Sequence, residues 1–143
     1  MPGMTASEAP RLRVTFEILD IRELKPHEEL QAPLLAKVMG EIAREGRINV
    51  PVLVEREHRV ILDGHHRFEA LRRLGCRRCP AYVVDYDSED IGLTTWPGAV
   101  VDRVTKQEVL DRGLRGPLFP AKTTRHLLRE RLPDSPVALR DLM

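Results

Sequence analysis

Leu12, Val14, Phe16 and Ile18 alternate with polar neighbours, the pattern of a strand with one buried face. A polar stretch, LKPHEEL, follows. From Pro33 to Glu45 the period changes, and Leu34, Leu35, Val38, Met39 and Ile42 fall on one face of a helix. Pro33 suits its first turn and Gly46 its C-terminal cap. The runs PVLVE and RVILD, joined around Arg56–His58, predict a hairpin. DGHH then leads into RFEALRRLG, a short helix with Phe68, Leu71 and Leu74 inward and Gly75 as its stop. Pro80 to Tyr86 predicts another strand, and the acidic turn DSED ends it.

The signals beyond this point are shorter. AVVDRV (99–104) predicts a strand. Thr105 with Glu108 three residues later forms a capping-box pattern opening a helix that Gly113 closes. LRGPLFPAK is loop, and Thr123 or Thr124 caps a last helix running through Leu132 to Pro133. Together these elements predict a mixed α/β (α+β) domain, a small mixed sheet with flanking helices and no internal repeat. The divisions expected are a flexible arm over 1–11, a main domain over 12–98, a short C-terminal subdomain over 99–132 packed on it, and a tail over 133–143.

Composition narrows the function. With 143 residues, 42% hydrophobic and 31% charged, the chain can bury one core. Twenty-three basic residues oppose 22 acidic ones, a net charge of +1, so no global field would hold the chain on nucleic acid. No apolar run reaches the roughly 20 residues of a membrane span, and the polar start lacks the apolar core of a signal peptide. Two cysteines are too few for a secreted disulfide scaffold. A cytoplasmic protein is therefore expected.

DGHHRF (63–68) is the most informative local motif. It lies where a strand passes into a helix, so backbone N–H groups, the helix dipole and Arg67 together favour an oxyanion. Gly64 lets the backbone approach a ligand, and Asp63 can meet magnesium, a hydroxyl or a histidine; the plain alternative is a helix cap with two surface histidines. KPHEE (25–29) sets two carboxylates and an imidazole on a polar connection, either a general base or metal site or merely a solvated loop. TTRH (123–126) offers hydroxyls, Arg and His at an expected helix start, suited to phosphate or simply to capping. Trp96 in TTWPG either walls a pocket or plugs the core edge. Cys76 and Cys79 have redox or zinc spacing, but no second pair exists, so both are expected to act as small apolar residues.

These motifs together resemble the ParB/sulfiredoxin superfamily and, within it, the free L-serine kinases of the SerK type. DGHHRFEALRRLG is similar to the superfamily's phosphate motif, and PHEE, TTWPG and FPAKTTRH add a narrower likeness. The resemblance implies a ParB/sulfiredoxin-like nucleotide-binding fold over 12–98 and phosphoryl transfer from ADP or ATP to serine. It makes Glu28 the base, with Glu29 its neighbour. Asp63 is implied as catalytic and on Mg2+, directly or indirectly, and Gly64, His65, His66 and Arg67 as holding nucleotide phosphates. Trp96, Thr123, Thr124, Arg125 and His126 are implied for the acceptor side. Only residues 97–122 separate the tryptophan block from TTRH, which implies a truncated second lobe. His65 replaces the cysteine of the sulfiredoxin motif, which excludes sulfinic-acid repair. The second reading is a ParB-like nucleotide-binding module that regulates a partner or a DNA contact without catalysis; it would need no carboxylate at position 28.

Overall fold

The computed structural model describes residues 12–143; the arm expected over 1–11 lies outside the described residues. A four-stranded sheet has the order β1 (Val14–Asp20), β5 (Arg78–Val84), β3 (Val52–Glu55), β4 (Ile61–Asp63). The central pair β3–β5 is parallel, while β1 and β4 run antiparallel to their neighbours. Both central strands are buried on both faces, which is why PVLVE and PAYVV are nearly continuous apolar runs rather than alternating ones.

Each face of the sheet builds a core. On one face α1 (Ala32–Glu45) and α2 (His65–Arg73) bring Leu35, Ile42, Phe68 and Leu71 against Val52, Val54, Ala81 and Val83. The residues read as a tail also pack here. β8 (Val137–Ala138) pairs with β2 (Arg47–Ile48), and Leu142 is fully buried, its carbonyl accepting from the N–H groups of Arg77 and Arg78. On the opposite face Leu53, Val60, Leu62, Tyr82 and Val84 meet Ile91 and Val109. Val109 lies on α3 (Lys106–Arg115) and Ile91 on β6 (Ile91–Thr95).

Three sequence expectations fail on this second face. The helix expected from Thr123 to Leu132 is instead a strand, β7 (Thr124–Leu128), paired antiparallel with β6. Thr124 and His126 turn inward while Arg125 and Leu127 turn outward. That two-residue period outweighs the helical propensity of Leu, Arg and Glu. The strand expected at 99–104 does not form; its place is taken by the earlier IGLTT, which has β7 as partner. Gly113 does not close α3, which runs on to Arg115. Glycine serves packing there, because a Cβ would lie 2.7 Å from Val60 Cγ1. The capping box of Thr105 and Glu108 forms as expected.

Candidate active site

The polar PHEE stretch is pinned between two other segments. Lys25 N–H donates to the Arg59 carbonyl, and Ile61 N–H donates to that of Lys25. Two residues on, Phe119 N–H donates to the His27 carbonyl and Glu29 N–H to that of Phe119, both at 2.8 Å. The loop is thus laid alongside β4 and the 119 segment. The end of β4 leads directly into α2, so Glu28, the DGHHR turn and the start of β7 converge. Between them opens a cavity of about 440 Å³. The loop contributes Glu28 and Glu29 to its wall, and the turn contributes Asp63 to Arg67. Trp96, Thr124, Arg125 and His126 line the other side. Of the site residues expected from the sequence, only Thr123 does not line it, and Thr123 touches Glu28 from behind.

Glu28 is buried to 8% exposure. Its Oε1 accepts from Thr123 N–H at 2.7 Å and its Oε2 from the Thr124 hydroxyl at 2.6 Å. Burial pushes its carboxyl above the usual range, and the Thr124 and Thr123 hydrogen bonds and the charge of Lys122 act in the other direction. A carboxylate so held is fixed in place yet easier to protonate than a free one, as a base requires. Glu29 also borders the cavity and is exposed.

The turn at 63–67 is shaped by Gly64. Its φ is +97°, and a Cβ would lie 2.8 Å from both Val52 Cγ1 and an Arg67 nitrogen, so only glycine fits. The N–H groups of the first turn of α2 have no partner within the helix. The side chains beside them are largely committed elsewhere. His65 Nε2 accepts from His27 N–H at 3.1 Å, and His66 Nε2 accepts from Gln31 N–H at 3.0 Å. Both imidazoles thereby fasten the PHEE loop. Arg67 donates to the carbonyls of Val50 and Pro51, and its guanidinium lies 3.8 Å from Asp63. The Asp63 side chain is 70% exposed.

The β7 side is arranged differently. Trp96 donates its indole N–H to the Thr124 carbonyl at 3.0 Å, which fixes the ring. The Arg125 guanidinium lies 4.6 Å from the ring centroid and the Lys122 ammonium 5.4 Å from it. His126 turns inward, where its Nε2 meets the Tyr86 hydroxyl at 2.7 Å. Burial lowers the His126 imidazole to about 3 and raises the Tyr86 phenol well above its ordinary value. Burial thus favours the neutral form of His126, which still lines the cavity.

Sequence reasoning missed three residues. Lys122 lines the cavity, and its only signal was its place just before TTRH. His27 is fully buried beside Glu28, although the PHEE stretch reads as solvated loop. Tyr86 anchors His126, a pairing that no spacing reveals. Cys76 and Cys79 are free and buried, and burial pushes the Cys79 thiol up to about 12, in line with apolar roles. Among the described residues no group of three His, Cys, Asp or Glu is placed to hold a metal ion, and no helix is long and apolar enough to cross a membrane.

No family model matches the chain. Individual proteins do. Over 123 residues it is 35% identical to the ATP-dependent L-serine kinase of Desulfurococcus mucosus, covering 78% of this chain and 48% of that protein. Over 111 residues it is 30% identical to the ADP-dependent L-serine kinase SerK of Thermococcus kodakarensis, covering 70% and 46%. The chain is a relative of the L-serine kinases. It spans about half the length of the curated kinases it matches. The likeness extends to the fold. A free serine kinase solved in complex with AMP superposes with a TM-score of 0.83 at 19% identity, over 90% of this chain and 93% of that one. This kinase relative thus has their mixed α/β architecture.

Proposed function

We propose that the protein is a free L-serine kinase that moves the terminal phosphoryl group of ATP or ADP onto the serine hydroxyl, giving O-phosphoserine. The observation that carries this reading is Glu28. It is a buried carboxylate, fixed by two hydrogen bonds, that borders a cavity with a helix N-terminus on one side and Arg125 and Lys122 on the other. Phosphoryl transfer asks the protein mainly for positioning, charge neutralisation and a base, and each has a candidate here.

In the reaction the serine O–H bond breaks as the new O–P bond forms, and the proton passes to Glu28. The bond between the transferred phosphorus and the nucleotide oxygen breaks, and that oxygen carries the charge away on the departing nucleotide. The free N–H groups opening α2 face the donor phosphates. Arg125, whose guanidinium has no hydrogen-bond or ion-pair partner among the described residues and lies 4.6 Å from the Trp96 ring centroid, faces the acceptor side, with Thr123, Thr124 and Trp96 shaping that wall.

Magnesium fits one position. Asp63 is the exposed carboxylate at the phosphate end of the cavity, and Mg2+ is commonly held by one carboxylate together with nucleotide phosphates and water. When bound, it would neutralise charge on the transferring phosphoryl group. Dependence on a nucleotide fits a cytoplasmic protein.

The test is direct. Purified protein is incubated with serine, magnesium and either ATP or ADP, and phosphoserine is sought by mass spectrometry. Formation with one donor establishes both the reaction and the donor. Nucleotide binding without phosphoserine would favour the ParB-like regulatory module instead.

A further inference from the structure

Three short contacts run in a chain from β4 to Glu28. His27 Nδ1 lies 2.6 Å from the Ile61 carbonyl oxygen, His27 Nε2 lies 2.8 Å from Thr124 Oγ, and Thr124 Oγ lies 2.6 Å from Glu28 Oε2. Each contact joins two electronegative atoms and needs a hydrogen between them. A neutral imidazole brings one, a hydroxyl brings one, and an ionised carboxylate brings none. The Ile61 carbonyl can only accept, so the imidazole hydrogen belongs on Nδ1. The one hydroxyl hydrogen of Thr124 then faces two acceptors, His27 Nε2 and Glu28 Oε2, and can serve only one of them.

With Glu28 ionised and His27 neutral, the chain is therefore one hydrogen short. With Glu28 protonated, every contact is filled, because Thr124 donates to His27 and accepts from the carboxyl. The shortage matters because the chain is dry: His27 is 0% exposed, Thr124 6% and Glu28 8%. An unfilled polar contact in such a place costs more than one that water can complete.

We propose that Thr124 and His27 act as a hydroxyl switch behind the base: as Glu28 takes the proton of the substrate hydroxyl, the Thr124 hydroxyl turns from Glu28 to His27 and accepts the new carboxyl hydrogen. The substrate O–H bond breaks, the proton bonds to Glu28 Oε2 and swings about the C–O bond to face Thr124. Thr124 keeps its own hydrogen, His27 stays neutral, and the proton leaves Glu28 for solvent after the product departs. Both residues are positioning residues. The proposal rests on the reading of Glu28 as the base of a kinase.

The surroundings agree with this division of labour. Burial lowers the His27 imidazole to about 4 while pushing the Glu28 carboxyl up, so an added proton settles on the carboxyl. The other groups facing the chain are His65, which accepts His27 N–H, His126 with its ring 6.1 Å from that of His27, Asp63 at the end of β4 and Lys122 before β7. Burial keeps His65 and His126 neutral. Neither competes for the proton.

Two measurements test the switch. The first is the acid limb of the pH profile of kcat in His27→Phe, which keeps a ring but no acceptor, and in Thr124→Val and Thr124→Ser. In His27→Phe the hydroxyl serves the carboxylate alone, so the limb should move to lower pH by about one unit and kcat should fall about tenfold. Thr124→Val removes a donor from the carboxylate, so its limb should move to higher pH, and Thr124→Ser should restore the wild-type limb. Packing damage alone would lower kcat without moving the limb in opposite directions. A limb common to all four proteins overturns the proposal.

The second measurement needs neither turnover nor the Phe variant. Nitrogen-15 NMR of the wild-type histidines should show His27 Nε2 gaining a hydrogen bond as pH falls through the Glu28 titration, while Nδ1 keeps its proton. An unmoved Nε2 signal, or an imidazole that becomes doubly protonated, overturns the switch. If the wild-type chain makes no phosphoserine, the kinase reading fails, and the NMR titration still decides the switch.

Discussion

The turn at 63–67 and the strand entry at 122–126 are written in the same vocabulary: a hydroxyl or carboxylate, then imidazole and arginine. The fold uses them in opposite ways. At the turn the backbone is free and the side chains are committed, with His65, His66 and Arg67 all bonded to backbone groups of neighbouring segments. At the strand the backbone and hydroxyls are committed, with Thr123 N–H and the Thr124 hydroxyl spent on Glu28, while the Arg125 guanidinium rests on Trp96. An oxyanion would thus meet peptide N–H groups on one side and a movable guanidinium on the other. The lesson is that residue type names the available donors, and secondary structure decides which remain free.

The sharpest way to break this contrast is at the carboxylate between the two regions. Glu28→Gln keeps the size and the bond from Thr123 N–H, has its amide nitrogen donate to the Thr124 hydroxyl rather than accept from it, and removes the base, so kcat should drop roughly 10²–10⁴-fold. Nucleotide affinity by calorimetry should stay as it was. An active Glu28→Gln paired with a dead Glu29→Gln would move the base by one residue.

The next largest effect belongs to the turn. Gly64→Ala places a methyl group at positive φ against Val52 and Arg67, a strain of about 1–3 kcal/mol. Both the melting temperature and nucleotide affinity should fall. An unchanged melting curve would mean that the turn relaxes freely.

The two arginines sharpen the contrast further. Arg125→Lys keeps charge but loses the flat fork, so phosphoserine should bind about tenfold more weakly with no change in melting temperature. Arg67→Lys should lower melting temperature and nucleotide affinity together, because its guanidinium also holds Val50 and Pro51. Arg129, paired with Asp90 away from the cavity, serves as control, and Arg129→Lys should leave phosphoserine binding untouched. If Arg125→Lys and Arg129→Lys bind phosphoserine equally, the free guanidinium has no part in acceptor binding. Smallest of all, Cys76→Ala and Cys79→Ala should leave nucleotide affinity within error, and a loss in either would give those thiols a role at the site.

Much of the first face was legible in the sequence because its signals are local. Pro33 and Gly46 bracket α1, the apolar runs of β3 and β5 announce double-sided burial, and DGHH marks the passage from strand to helix. The second face was harder to read because its elements depend on partners far away. TRHLLRE has the composition of a helix, and only pairing with IGLTT across some thirty residues makes it a strand. Gly113 looked like punctuation because its contact with Val60 is tertiary. Of the candidate site, the motifs named residues that the fold brings together, since Glu28, Asp63 to Arg67, Trp96 and Thr124 to His126 share one cavity. They could not show that His65 and His66 are fasteners, nor that His27 lies behind Glu28, because both facts depend on which way an imidazole turns in the folded chain.

Trp96 is the only tryptophan in the chain, and its ring carries two cations on a cavity wall. The protein therefore has a fluorophore of its own at the one place where a ligand is expected. A phosphate that draws Arg125 or Lys122 off the indole changes the ring's surroundings and hence its emission. Serine, phosphoserine and nucleotide can then be titrated separately, without label or coupled assay, and their order of arrival followed in a stopped-flow cell.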